Sequence, residues 1–229
     1  MKIFITGGSG NLGKELIKSI PSSYEIISPT RQECDLLDSN TINNLINHHK
    51  PNLVIHLAAF VDILGCELNI SKAIDDNIIG TINLVKSCLE LNCKFVYISS
   101  EYIFKGDQGN YKITDKPNPI NIYGKTKAAA EYIVSILPNY QIIRAPFIKV
   151  KYPKVYTNQY CSRYFIEDII EKIFYNIINN PNKIVHIANS RKSLYEHYQD
   201  KNLYPEPIII PDELSSITPI DTSLIDNSI

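Results

Sequence analysis

Ten residues near the start of the chain, TGGSGNLGKE from Thr6 to Glu15, limit what it can fold into more than any other feature. They follow KIFIT, a short apolar run that reads as a buried strand, and they open NLGKELIKSI, whose apolar positions 12, 16, 17 and 20 have helical spacing. A strand, a glycine turn and a helix in succession make a phosphate site, because the free N–H groups and dipole at the helix N-terminus favour an anion. Two patterns fit. Gly8, Gly13 and Lys14 have the G-x-x-x-x-G-K spacing of an ATPase P-loop. Gly8, Gly10 and Gly13 have the G-x-G-x-x-G spacing of a dinucleotide fingerprint, and Gly7, Gly10 and Gly13 make a looser G-x-x-G-x-x-G. A P-loop requires a Ser or Thr after its lysine to hold magnesium, and this chain has Glu15 there. The dinucleotide reading needs only glycines, for the tight turn, the close backbone approach to a pyrophosphate and the packing of helix on strand. Gly7, Gly10, Asn11, Leu12 and Gly13 are therefore the candidate cofactor-binding residues of the loop, and Lys14 is a solvent-facing residue.

The second strand, EIIS at 25–28, refines the cofactor. An NAD site usually carries an acid roughly 20 residues beyond the glycines to accept from the ribose 2′-hydroxyl. Here ISPTRQ has no acid before Glu33 but offers Arg31, whose guanidinium suits a 2′-phosphate. NADP(H) is favoured over NAD(H), with Asp35 and Leu36 on the adenine side.

Further strands read at 52–59, 94–100 and 140–146, and helices at about 38–49, 71–91 and 123–137. This alternation calls for right-handed crossovers and a parallel sheet, and runs such as LVIHLA and FVYIS, apolar throughout, belong between two helix layers. The expected class is α/β, a Rossmann doubly wound parallel sheet with a small C-terminal substrate-binding lobe. Residues 1–146 would form the NADP-binding domain with the catalytic residues. Residues 147–229 would form a reduced substrate-binding region, part of which returns to the sheet. In it, 163–178 reads as an amphipathic helix, 183–189 as a strand, 193–199 as a short helix and 203–229 as extended.

The net charge of −1 gives no reason to expect nucleic acid or a membrane surface as a partner. No apolar stretch approaches the ~18–20 residues that span a bilayer, and Met1-Lys2 leads straight into a strand, so a cytoplasmic protein is expected. The five cysteines form no C-x-x-C pair, which implies neither zinc nor a disulfide framework. His48-His49 reads as a solvated helix face, and no metal site is expected.

Tyr123 and Lys127 stand four apart at the head of a helix, on one face, and this Y-x-x-x-K spacing occurs once among fifteen tyrosines. YISS puts Ser99 and Ser100 at the carboxyl end of the preceding strand, where an open parallel sheet has its ligand crevice. Reduction of a ketone by hydride leaves an alkoxide, which a tyrosine hydroxyl can protonate. A nearby ammonium lowers the tyrosine pKa, and a serine hydroxyl polarises the carbonyl.

The segments TGGSGNLG, PTRQECDLLD, VIHLAAFVD, DNIIGTINL, YISSEYIFKG, PNPINIYGKTKAAAE and IIRAPF, in that order over most of 1–147, resemble extended short-chain dehydrogenases/reductases, and among them the dTDP-4-dehydrorhamnose reductase group. The later SRYFIEDII and KIVHIANSRKSLYEHY match more loosely. The resemblance implies a catalytic triad of Ser100, Tyr123 and Lys127 and a fingerprint of Gly7, Gly10 and Gly13. It also implies Ala58, Ala59 and Phe60 beside the cofactor, Asn77 bracing the active-site helix, and Arg144 after the strand that ends near the nicotinamide. The implied activity is NADPH-dependent reduction, at C4, of a UDP- or dTDP-linked 4-keto-6-deoxy sugar. Lys149, Lys151 and Lys154 are candidates for the substrate diphosphate, and a homodimer is left open. Three departures stand out: Glu101 replaces an Asp, Lys105 replaces an acid, and 147–163 is short and basic, which trims the substrate lobe. Two other readings remain: C3/C5 epimerisation with or instead of reduction, for which Cys66 is a candidate base, and an NADP-binding regulatory subunit of the kind that serves methionine adenosyltransferase.

Overall fold

The computed structural model of the protein describes every residue except Glu90, Asn92, Val150 and Lys151. Six strands form one parallel sheet: β1 (Lys2–Thr6), β2 (Glu25–Ile27), β3 (Leu53–His56), β4 (Lys94–Ser99), β5 (Tyr140–Arg144) and β10 (Ile184–His186). Their order is β10-β5-β4-β3-β1-β2. The chain leaves β1 for β2 on one side and returns as β3 on the other, so the sheet reverses direction beside β1. That switch point is where an open sheet leaves a crevice at its carboxyl edge.

Both faces of the sheet are covered, as continuous apolar strands require. On one face α1 (Asn11–Ser19) and α7 (Ile166–Asn179) pack against Ile3, Ile5, Ile55, Val96 and Ile143, with Leu16, Ile169 and Ile173 fully buried. On the other, α2 (Ser39–His49), α5 (Gly80–Cys88) and α6 (Ile122–Val134) enclose Phe4, Val54, Phe95 and Tyr97. Asp38 caps α2 by accepting from the backbone N–H groups of Asn40 and Thr41. His56 is fully buried on β3. Its Nδ1 lies 2.7 Å from Thr6 Oγ1 and its Nε2 2.9 Å from Thr81 Oγ1, so it ties β1, β3 and α5 together. Burial, reinforced by the Lys127 charge, lowers its pKa to about 3 and keeps the ring neutral.

The expected helix at 71–91 has a break. After α3 (Ile63–Leu68) the chain forms α4 (Ile70–Ile74), a π-helical turn at Asp75–Ile79 and then α5. The wider turn carries Asn77 into the core, and a single π turn inside an α-helix commonly marks a functional site. The expected helix at 163–178 begins later, at Ile166, because Tyr164–Phe165 (β9) pairs with Phe147–Ile148 (β6). The C-terminal region holds two more small pairs. β7 (Lys154–Tyr156) pairs with β12 (Glu206–Ile208), and β8 (Tyr160–Cys161) pairs with β11 (Lys192–Ser193), which leads into α8 (Leu194–Gln199). Beyond β12 the chain returns to the main body. Asp221 N–H donates to Gly106 O at 2.8 Å, and Tyr111 and Leu224 form a bridge.

Arg144, expected beside the cofactor, turns the other way. It ends β5, and its guanidinium is buried against α6, donating to Glu131 through Nε at 3.0 Å and Nη2 at 2.7 Å. Nη1 lies 3.2 Å from His186 Nε2, and the guanidinium carbon sits 5.3 Å over the Phe104 ring. Every donor direction is thus directed into the core, so Arg144 secures α6 to the sheet. Breaking a buried pair leaves an uncompensated charge. Arg144→Met should therefore lower stability to urea by about 3–5 kcal/mol, and Arg144→Met with Glu131→Leu should recover most of that loss. A single variant as stable as wild type would contradict the structural role.

Candidate active site

A cavity of about 390 Å³ opens at the switch point, along the carboxyl ends of β1, β3 and β4. Of the residues read from the sequence, Gly7, Gly10, Asn11, Leu12, Gly13, Arg31, Asp35, Leu36, Ala58, Ala59, Tyr123 and Lys127 line it. Phe60, Asn77, Ser100 and Arg144 do not.

The glycines do different jobs. Gly7 has φ +73°, and a side chain there would meet Ala58 N at 2.6 Å, so only glycine fits. At Gly13 an added Cβ would lie 2.4 Å from Gly7 O and 2.6 Å from Gly8 Cα, which is how closely α1 sits on the loop. Gly10 is the N-cap residue, offers no side-chain cap and has extended backbone; the N–H groups of Asn11, Leu12 and Gly13 begin the helix beyond it. The end of α1 is therefore an uncapped, positively polarised N-terminus facing the cavity. On the opposite wall Ser99 Oγ is buried and makes no hydrogen bond among the described residues. Open N–H groups and an orphaned hydroxyl in one cavity fit a ligand that carries both a diphosphate and a further polar group.

Asn77 supports this wall from behind. Its Oδ1 accepts from Phe60 N–H at 2.7 Å, and its Nδ2 donates to Phe60 O at 3.0 Å and to Thr126 Oγ1 at 2.9 Å. It joins the loop after β3, which carries Ala58 and Ala59, to the helix that carries Tyr123 and Lys127. Phe60 itself packs against Tyr102 and Tyr123 rather than entering the cavity.

Asn121 caps α6, accepting from Gly124 N–H at 2.7 Å, and so fixes Tyr123 in the first turn. Both reactive side chains are buried. Burial raises the Tyr123 phenol well above its ordinary value; the Glu101 carboxylate adds to this, while hydrogen bonding by Ser100 opposes it. Burial pulls Lys127 down to about 7 against the attraction of Glu131. The Lys127 ammonium donates to Ile98 O at 2.8 Å and lies 4.1 Å from the Tyr97 ring centroid. Tyrosine is thus held as an acid, and lysine is poised to change charge near neutrality.

Ser100 is held tightly. Its Oγ accepts from Tyr102 N–H at 3.2 Å and donates to Glu101 Oε2 at 3.0 Å. Glu101 is buried, and its Oε1 is bound by Arg163 through Nε at 2.8 Å and Nη2 at 2.7 Å. Arg163 stacks over Tyr102, whose hydroxyl accepts from Gln159 Nε2 at 3.1 Å. The C-terminal segment covers this polar group. Gln159 Nε2 also donates to Pro219 O at 3.1 Å, and Asn121 Nδ2 donates to Ile217 O at 2.8 Å.

Several residues of the site were not read from the sequence. Of the two serines in YISS, the cavity wall takes Ser99 and not the expected catalytic Ser100. Asp76 is new. It lines the cavity and accepts from Arg31 Nη2 at 3.0 Å and from Lys72. The acids Asp75 and Asp76 standing directly before Asn77 were the available signal. Glu101 and Arg163 form a pair that no local spacing links.

Other candidates fall away from the chemistry. Cys66 is buried, donates to Phe60 O at 3.5 Å and is raised to about 11, chiefly by burial, so it stays a thiol at neutral pH and is no base. Lys149 is exposed, Lys154 pairs with Glu206 at 2.9 Å, and Lys151 lies outside the described residues.

Comparison with known proteins agrees with this geometry. The chain is 32% identical over 145 residues to the dTDP-4-dehydrorhamnose reductase of Aggregatibacter actinomycetemcomitans, covering 62% of this chain and 49% of that protein. It is 31% identical over 141 residues to methionine adenosyltransferase 2 subunit beta of Bos taurus, covering 58% of this chain and 42% of that one. The matches thus span about half the length of these relatives or less. A crystal structure of the dTDP-4-dehydrorhamnose reductase of Bacillus anthracis in complex with NADP superposes with a TM-score of 0.88, at 24% identity, over 99% of this chain and 90% of that one, which shows the shared fold. The RmlD substrate binding domain family matches residues 1–200, and the chain belongs to that family.

Proposed function

We propose that this protein is an NADP(H)-dependent reductase of a nucleoside-diphosphate-linked 4-keto-6-deoxy hexose, of the kind that dTDP-4-dehydrorhamnose exemplifies. One observation carries the reading: a protonated Tyr123 and Lys127 stand in the same cavity as the glycine loop and the uncapped helix end. NADPH, when bound, supplies the hydride. Asn11, Leu12 and Gly13 N–H groups would hold its diphosphate, Arg31 its 2′-phosphate, and the orphaned Ser99 hydroxyl a polar group at its nicotinamide end.

The chain's own residues then handle the proton. Hydride arriving at the carbonyl carbon makes the oxygen an alkoxide, and the Tyr123 phenol gives that oxygen its proton. The same burial that raises the phenol keeps its proton in place until an alkoxide is there to take it. Lys127, as ammonium, offsets the phenolate that remains. Ser100, whose proton goes to Glu101 and whose oxygen accepts from Tyr102 N–H, would steady the Tyr123 hydroxyl from outside the cavity. Glu101 sits next to this group paired with Arg163, so the pair adds no net negative charge where an alkoxide must form.

The similarity to methionine adenosyltransferase 2 subunit beta supports a second reading, a dinucleotide-binding subunit without turnover. Tyr123→Phe separates the two. In a reductase, it should lower NADPH oxidation with dTDP- or UDP-linked 4-dehydrorhamnose by roughly 10²–10⁴-fold and leave NADPH binding unchanged. No oxidation by wild type with either sugar, and none lost in the variant, would leave only the second reading.

Two further outcomes follow from the charges. Arg31→Ala should weaken NADPH far more than NADH in a fluorescence titration; equal losses would refute the 2′-phosphate assignment. Lys127 is charged in the unfolded chain below about 10.5 but in the folded chain only below about 7. The folded state therefore bears its full cost below pH 7, and the cost fades as pH rises to 10.5. Lys127→Met should abolish turnover yet stabilise the free protein at pH 7 by roughly 2–4 kcal/mol, a gain that shrinks toward pH 10. A variant less stable than wild type at pH 7 would contradict the buried-charge account.

A further inference from the structure

The acid that the second strand lacks is supplied from elsewhere in the fold. Arg31 lies just past β2, and Asp76 is the second residue of the π-helical turn after α4. Both line the cavity, where Arg31 Nη2 donates to Asp76 Oδ1 at 3.0 Å. The other carboxylate oxygen accepts from Lys72, one helical turn earlier, whose ammonium also lies 5.1 Å from the Phe60 ring centroid. The Asp76 side chain is 14% exposed and that of Arg31 65% exposed, so the carboxylate is the fixed member of the pair and the guanidinium the free-swinging one.

We propose that Asp76 sets which dinucleotide this cavity prefers, with Lys72 as the counter-ion that makes the choice adjustable; the inference rests on reading the cavity as a dinucleotide site. A ribose with a free 2′-hydroxyl finds a charged acceptor in Asp76 and leaves the Arg31–Asp76 pair in place. A 2′-phosphate instead draws Arg31 away, because a dianion with three oxygens offers the guanidinium a stronger, bidentate partner than one exposed ion pair. The carboxylate is then left facing an anion, and Lys72 alone balances it. Asp76 thus favours NADH, Arg31 favours NADPH, and Lys72 reduces the penalty that Asp76 places on NADPH. The preference for the phosphorylated cofactor is smaller than Arg31 alone would produce.

The test is the ratio of dissociation constants for NADH and NADPH, measured by isothermal titration on the full chain. Asp76→Asn removes both the competitor for Arg31 and the charged acceptor for the hydroxyl. It should raise the NADH-to-NADPH ratio roughly tenfold, the lower end for one charged hydrogen bond. Lys72→Met leaves Asp76 unbalanced and should lower the same ratio several-fold, so the two variants move it in opposite directions. Wild type binding both nucleotides, with ratios in both variants within about twofold of it, overturns the role of Asp76 and leaves the cofactor site standing. A wild-type chain that binds neither nucleotide overturns the site and this role together.

Discussion

The site depends on how closely α1 can approach the end of β1. Gly13 sits on the Gly7 carbonyl and the Gly8 backbone, with no room for a single added carbon, while Gly7 turns through a left-handed conformation against Ala58. That contact brings an uncapped helix N-terminus to the switch point of the sheet. The open N–H groups, the dipole and the sheet's own crevice then coincide, and an anion has one place to go. Lys14 follows Gly13 as it would in a P-loop, but Glu15 occupies the position that a magnesium-binding hydroxyl would need.

The second constraint is burial. Tyr123 and Lys127 share the cavity, and each resists being charged where it lies. The fold accommodates this by surrounding them with neutral or balanced groups: the Tyr97 ring, the Ile98 carbonyl, and Glu101 matched by Arg163. An ionised carboxylate without Arg163 would oppose formation of both the alkoxide and the phenolate. Arg163 grips one oxygen of Glu101 while Ser100 donates to the other. The C-terminal region takes part as well, since Gln159, Pro219 and Ile217 lace over Tyr102 and Asn121.

What the sequence made legible was local. The glycine loop, the Tyr123–Lys127 spacing and the doubly wound α/β class depend on residues a few positions apart or on periodicity, and the sheet and cavity agree with those readings. Asp76 was missed because its meeting with Arg31 is made by packing, 45 residues apart in the chain. Arg144 ends its strand as read, but its side chain turns to α6 instead of the cofactor, since nothing in IIRAPF discloses that Glu131 waits on the neighbouring helix. The π turn at Asp75–Ile79 was hidden for a related reason: the residues read as ordinary helix, and the wider turn arises from carrying Asn77 inward to Phe60 and Thr126. Two-residue strands such as β8 and β11 have no periodicity to read.

We propose that this cavity moves a hydride to the C4 carbonyl of a nucleotide-linked keto sugar. The most direct measurement is transfer of label from NADPH carrying deuterium at the transferable C4 position, followed by mass spectrometry and proton NMR of the sugar. The account predicts one deuterium at C4 of the product hexose, absent with Tyr123→Phe. Bound NADPH with no deuterium in the sugar, for both dTDP- and UDP-linked substrates, would contradict it.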